Sequence, residues 1–252
     1  MPQPPFRWRS STVSDVGKVR KHNEDSCLDR ADSGLWVVAD GMGGHASGDL
    51  ASQLIVNTLA KVQTSNSLSE TIDRIDDALL SVNAKLMAMS ADTKQTCGST
   101  VVALLAFDRF CVCMWAGDSR IYRLRGKEFR QLTTDHSQVE VFVEQGLISR
   151  EEAAAHPAGN MVTRAVGASA DLFVEMDILE LMHGDKYLLC SDGLDKHIAD
   201  AEMAQILARN DPERAARALI DATLARGATD NVTVSVIEVE ANQAAGQRSS
   251  AA

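Results

Sequence analysis

The chain has 252 residues, with 25 Lys plus Arg against 35 Asp plus Glu, a net charge of −10, and 45% hydrophobic and 24% charged residues. This size and balance suit one large or two small folded domains with a full core. The acidic surplus argues against a general nucleic-acid binder, which needs an electropositive face, and no apolar run approaches the ~18 residues that a membrane span requires.

The opening "MPQPP" carries neither an apolar signal core nor a transit-peptide pattern. "RWRSSTVS" (7–14) and "GLWVVADG" (34–41) follow as strands, the second apolar on both faces and therefore central in a sheet. A helix is predicted over 47–62, with Leu50, Leu54, Ile55, Leu59 and Val62 on one side. The next runs over 68–89 with Leu68, Ile72, Ile75, Leu79, Val82, Leu86 and Met89 as its stripe, and Ser67 and Glu70 form a capping box at its start. Three heptads could make a coiled-coil seam, but a helix laid on a sheet is favoured.

Strands resume at "STVVALLAF" (99–107), "CVCMWAGD" (111–118) and "RIYRLR" (120–125). From 135 to 167 the strand pattern stops and two short helices are predicted, the second boxed by Ser149 and Glu152. An insertion of this length between strands is a lid, a binding loop or a structural excursion. "FVEMDILEL" (173–181), "KYLLCSDG" (186–193) and "NVTVSVIEVE" (231–240) complete the strands, and Asp211 as cap, Pro212 and Gly227 bracket a last helix. The polar tail 241–252 is expected to be disordered. With no repeat or linker, the chain is read as one α+β domain over 1–240, helices outside sheets. Cys27, Cys97, Cys111, Cys113 and Cys190 lack CxxC spacing and read as buried free thiols, pointing to a reducing, cytoplasmic setting.

Five acidic signatures fall at strand ends or in the turns that follow: Glu24 and Asp25 in "RKHNEDS", Asp40 in "ADGMGG", Asp118 in "AGDSR", Asp192 in "CSDGL" and Asp230 in "ATDNVT". Any one of them is an ordinary turn former. Together, at the rim of a buried sheet, they would repel one another unless cations lay among them. Oxygen donors without histidines suit Mg²⁺ or Mn²⁺ better than zinc, and paired ions of this kind polarise phosphoryl groups and activate water. Arg20 is the obvious cation for holding a phosphate, with a solvated charge in "KVRKH" as its bland alternative.

In family order, "GKVRKHNEDS", "VVADGMGGHASGD", "GST", "AGDSRIYR", "LTTDHS", "HPAGNMVTRAVG", "LLCSDGL" and "ATDNVTV" resemble the metal-dependent (PPM, type 2C) serine/threonine protein phosphatases, particularly compact bacterial members. The resemblance spans about 11–240 and implies an αββα sandwich of two antiparallel sheets flanked by helices, with a flap at 135–167. It implies a binuclear Mn²⁺/Mg²⁺ centre bridged by Asp40, with Asp192 and Asp230 on the first ion. The Gly41 carbonyl and a water held by Glu24 would serve the second ion, with Asp25 ordering metal-bound waters and Asn231 beside Asp230. A third, weaker ion would use Asp118 and Asp192, and Arg20 would bind the substrate phosphate while metal-activated water attacks phosphorus directly. The implied targets are phosphoproteins and a eukaryote-like kinase, met by a monomer with no nucleic-acid or membrane partner.

Two positions depart from the family pattern. Met42 stands where animal members carry a histidine proposed as general acid, and His45 cannot be assumed to replace it. In "SDGLDKH", Asp195 comes one place early and Lys196 occupies the place of an acid that usually holds metal waters. His136 borders the flap and could reach substrate, or be structural like the other histidines. "GMGGH" lacks the Lys and Ser/Thr of a P-loop. The alternative to an active phosphatase is a degenerate phosphatase fold serving as a binding or scaffold module; a phosphatase confined to a partner-switching circuit is a third reading.

Overall fold

The computed structural model describes residues 5–43, 47–93, 96–153, 156–159 and 161–242. In chain order its elements are β1 (Phe6–Asp15), β2 (Asp25–Arg30), β3 (Leu35–Met42), α1 (Ser47–Leu59), α2 (Leu68–Thr93), β4 (Gly98–Ser99), β5 (Val101–Phe107), β6 (Phe110–Ala116), β7 (Arg120–Arg125) and β8 (Glu128–Gln131). They continue with α3 (Gln138–Glu144), α4 (Arg150–Ala153), β9 (Glu175–Glu180), β10 (Lys186–Cys190), α5 (Asp192–Asp195), α6 (Asp200–Arg209), α7 (Pro212–Ala225) and β11 (Val232–Ala241).

The strands form two antiparallel sheets, β1-β11-β10-β7-β8 and β2-β3-β5-β6-β9, with the short β4 paired to β3. Strand alternation assigns each side chain to a layer. Leu35, Val37 and Ala39 of β3 point outward against Ile55 and Leu59 of α1 and the stripe Ile75, Leu79, Val82 and Leu86 of α2. Trp36 and Val38 point the other way and meet Ile121, Tyr187, Leu189, Ile237 and Val239 of the facing sheet. Leu188, Cys190, Val234 and Val236 turn outward again beneath Met203 and Leu207 of α6 and Leu219 and Ile220 of α7. The result is four layers, αββα. The four stripe residues of α2 are fully buried, and at ~1.5–3 kcal/mol for each such side chain this contact outweighs any capping term.

Several boundaries differ from the sequence reading. α1 stops at Leu59 rather than 62, because Lys61 and Val62 bond back only three residues, to Thr58 and Leu59, in a tightened last turn. α2 runs on to Thr93. Ser67 Oγ accepts the Glu70 N–H at 3.3 Å, but the Glu70 carboxylate pairs with Arg74 instead of returning to the cap. The box at Ser149 and Glu152 closes in both directions, at 3.2 and 2.7 Å, and Asp211 caps α7 through the Arg214 N–H. β2, β8 and α6 have no counterpart among the predicted segments. Ala241 belongs to β11, and the remaining tail from 243 lies outside the described residues. All five cysteines are free, and Cys27 is half-buried rather than buried.

Candidate active site

Every candidate acid sits at the same end of the sandwich. β2 begins at Asp25, directly opposite Asp40 near the end of β3. Asp192 starts the helix that follows β10, Asp230 and Asn231 immediately precede β11, and Asp118 follows β6. A cavity of about 370 Å³ opens there, lined by Glu24, Asp40, Asp118, Asp192 and Asp230 with the cations Arg20 and Lys196. Gly41, Thr100, Asn231, Met42 and the flap residue Val162 complete the wall.

Backbone packing holds this rim in place. A Cβ on Gly41 would collide with the Gly48 carbonyl, and one on Gly48 would come within 2.7 Å of the Glu24 carboxylate. Glycine at both places therefore lets the end of β3 meet the start of α1. Asn231 ties down the segment that carries Arg20 and Glu24. Its Oδ1 accepts the Glu24 N–H at 2.8 Å, and its Nδ2 donates to the carbonyls of Val16 at 2.9 Å and His22 at 3.0 Å. Thr100 Oγ1 accepts the Asp40 N–H at 3.2 Å and shares a hydrogen bond with Ser119 at 2.7 Å.

The electrostatics are those of crowded, buried anions. Burial raises the Asp40 carboxyl well above its ordinary range, and Asp25, Asp192, Asp118 and Asp230 raise it further. Burial likewise pushes Asp25 up to about 7, although Ser191 and Thr233 each donate to its Oδ2 at 2.7 Å. Asp118 is pushed up to about 7 by burial and by Asp192. Glu24 is raised, chiefly by burial.

The two cations each hold one acid. Arg20 forks onto Asp230 at 2.9 Å through both Nε and Nη2, and Lys196 Nζ pairs with Asp192 Oδ2. Among the described residues, no three His, Cys, Asp or Glu side chains stand together as a closed metal shell. The donor set nonetheless fits hard cations. Asp192 Oδ1 and Asp25 Oδ1 are buried oxygens without a hydrogen-bond partner, and such atoms are costly unless something positive faces them.

The structure thus brings Arg20, Glu24, Asp40, Gly41, Asp118, Asp192, Asp230 and Asn231 to one cavity, with Asp25 buried behind it. Arg20 is engaged with Asp230, where the sequence suggested a phosphate. His45 lies outside the described residues. His136 is buried and away from the cavity lining: its Nδ1 accepts the Gly117 N–H at 3.1 Å, which puts the proton on Nε2 facing Glu175 at 3.1 Å. It joins the flap to the strand end before Asp118, since its carbonyl accepts the Thr163 N–H. Sequence reasoning missed Thr100 as a wall residue; the signal was the "GST" beside the apolar β5. It also missed the Arg120 cluster, in which Arg120 pairs with Asp135 at 2.7 Å and Asp195 at 2.8 Å. These three line a second cavity of about 690 Å³ under the flap, with Lys196 on the shared wall.

Known proteins carry the same arrangement of chain. PppA of Pseudomonas aeruginosa, a key regulatory component of T6SS, superposes with a TM-score of 0.87 at 41% identity, covering 92% of this chain and 98% of that one. The catalytic domain of the serine threonine protein phosphatase PstP, solved in complex with 2 manganese ions, gives 0.83 at 33% identity over 93% and 99% of the two chains. The serine/threonine protein phosphatase PstP of Mycobacterium tuberculosis is 36% identical over 234 residues, 92% of this chain but 45% of its own length, so the chain spans about half of that relative. The Protein phosphatase 2C family model matches residues 18–234, from the turn before Arg20 through both sheets to the strand after Asp230, and the chain belongs to the protein phosphatase 2C family.

Proposed function

We propose that the chain is a metal-dependent serine/threonine protein phosphatase that hydrolyses phosphoserine and phosphothreonine in proteins. The observation that carries this reading is the convergence of Asp40, Asp192 and Asp230 in one cavity with a buried, unpartnered oxygen on Asp192. Asp40, Asp192 and Asp230 would hold one divalent cation. Asp40, the Gly41 carbonyl and Glu24 would serve a second, with Asp118 on the same wall, near enough to Asp192 to feel its charge. Bound Mn²⁺ or Mg²⁺ supplies a Lewis acid for a phosphoryl oxygen and lowers the pKa of water towards neutrality.

The protein's own part is positioning. Asn231 fixes the segment bearing Arg20 and Glu24, so that a guanidinium stands at the cavity wall beside the acids. Arg20 shifts from Asp230 to grip the phosphate by its fork. Asp25, anchored by Ser191 and Thr233, turns its free oxygen to orient water. Val162 and Met42 give the mouth an apolar lip against which a peptide can lie. We assign the catalytic domain to 1–240 with the flap at 135–167. We place the protein in the cytoplasm as a monomer opposing a eukaryote-like kinase. No described helix is long and apolar enough to cross a membrane.

The test is phosphate release from a phosphothreonine peptide with Mn²⁺, with Mg²⁺ and with EDTA, alongside Asp230→Asn. Metal-dependent turnover lost in the variant is expected. A folded protein inert with either metal would move the reading to a phosphoprotein-binding module.

A further inference from the structure

Lys196 is a cation in an unexpected place. It follows the single turn of α5, where Asp192 and Asp195 diverge: Asp195 is drawn to Arg120 at 2.8 Å, and Lys196 reaches back to Asp192 Oδ2. The ammonium lies at the wall common to both cavities and is within electrostatic reach of Asp230 and Asp118 as well as Asp192. Its side chain is 31% exposed, so it is neither a buried structural ion pair nor a free surface charge.

Asp192 consequently has two different oxygens. Oδ1 is buried and unpartnered, whereas Oδ2 carries the lysine. A divalent ion can take the first without disturbing the second. Any cation that sought to share Asp118 and Asp192 from the lysine's side would meet an ammonium already there. Resting on the phosphatase reading above, we propose that Lys196 is a resident cation of this active site, standing in place of a further divalent ion between Asp118 and Asp192 and adding its charge to the hold on substrate phosphate. Five carboxylates line the cavity against two protein cations, so one fixed positive charge more or less alters how strongly a phosphate dianion binds once two divalent ions are present.

Mn²⁺ binding, followed by calorimetry on the full chain, tests this without relying on turnover. The wild type should bind two ions, and Lys196→Asp should bind a third. With Mn²⁺ saturating, inorganic phosphate should inhibit Lys196→Met about tenfold more weakly than wild type, and Lys196→Arg should restore most of that inhibition. Three ions on the wild type, or an unchanged count in Lys196→Asp together with unchanged phosphate inhibition in Lys196→Met, would overturn the assignment. No Mn²⁺ binding by any form would overturn the phosphatase reading itself, a different failure. Cooperative thermal melts of the three variants in EDTA guard against misfolding, with Lys196→Asp melting lower for its added anion; Lys196→Gln, neutral but still a hydrogen-bond donor near Asp192, replaces Lys196→Met if that fails, and Lys196→Glu replaces Lys196→Asp.

Discussion

Replacing Asn231 by alanine isolates the residue that ties the N-terminal segment to the acidic rim. The side chain is 5% exposed and makes three hydrogen bonds, one accepted from Glu24 and two donated to Val16 and His22. Each neutral bond contributes roughly 1 kcal/mol net, and each buried partner left unsatisfied adds to the loss. The truncation should therefore cost about 3 kcal/mol, which for a chain of this size lowers Tm by roughly 6–12 °C. Because the freed segment carries Arg20 and Glu24, limited proteolysis should cut between Val16 and Glu24 before the sandwich unfolds. Differential scanning calorimetry in EDTA and a timed trypsin digest, which has Lys18, Arg20 and Lys21 as sites there, measure both effects. A Tm within 2 °C of wild type and an unchanged digest would refute the tethering role.

The other predictions concern charge and space. Asp40→Asn removes an anion crowded by the carboxylates of Asp25, Asp192, Asp118 and Asp230; Tm in EDTA should rise, while Mn²⁺ should no longer raise it and peptide turnover should vanish. In EDTA, wild-type stability should fall as pH rises from about 4 to 7. Asp25 and Asp118 have folded-state pKa values raised from 3.8 to about 7, so their protonation stabilises the fold and is lost across that window; a urea series showing the opposite slope would contradict the buried-anion picture. Gly193→Ala places a Cβ inside the Asn231 carbonyl oxygen, and the backbone shift it forces should cost ~1–3 kcal/mol, read by the same urea melts. Arg20→Ala should raise the peptide KM far more than it lowers kcat; equal kcat and wild-type KM would remove Arg20 from phosphate binding.

The sandwich was legible where burial makes sequence monotonous. The run Leu35–Ala39, fully buried on both faces, and the stripe of α2 leave few alternatives to a central strand and a helix laid on it. β2 and β8 hide because they are polar: "DSCLDR" is recruited by its register with β3, and "EFRQ" is an edge strand completing a hairpin with β7. α6 buries only Met203 and Leu207, too thin a stripe to stand out. At the site, the acids were legible because Asp at successive strand ends is a local pattern. What a carboxylate pairs with is set across the fold, so neither the Arg20–Asp230 fork nor the divergence of Asp195 and Lys196 could be read from their neighbours in sequence.

The first strand lies beside the last: β1 pairs with β11 over ten residues, from Phe6 opposite Ala241 to Asp15 opposite Val232. Asp230 sits at the mouth of that final strand, and Thr233 within it holds Asp25 from the other sheet. A ribosome must therefore release the chain as far as Thr233 before the cavity has all its acids or its anchor. Closing so long a loop is slow, and until it closes the cavity lacks Asp230 and Asp25 lacks the hydroxyl of Thr233. The topology makes the emergence of β11 a condition for assembling the acidic cavity.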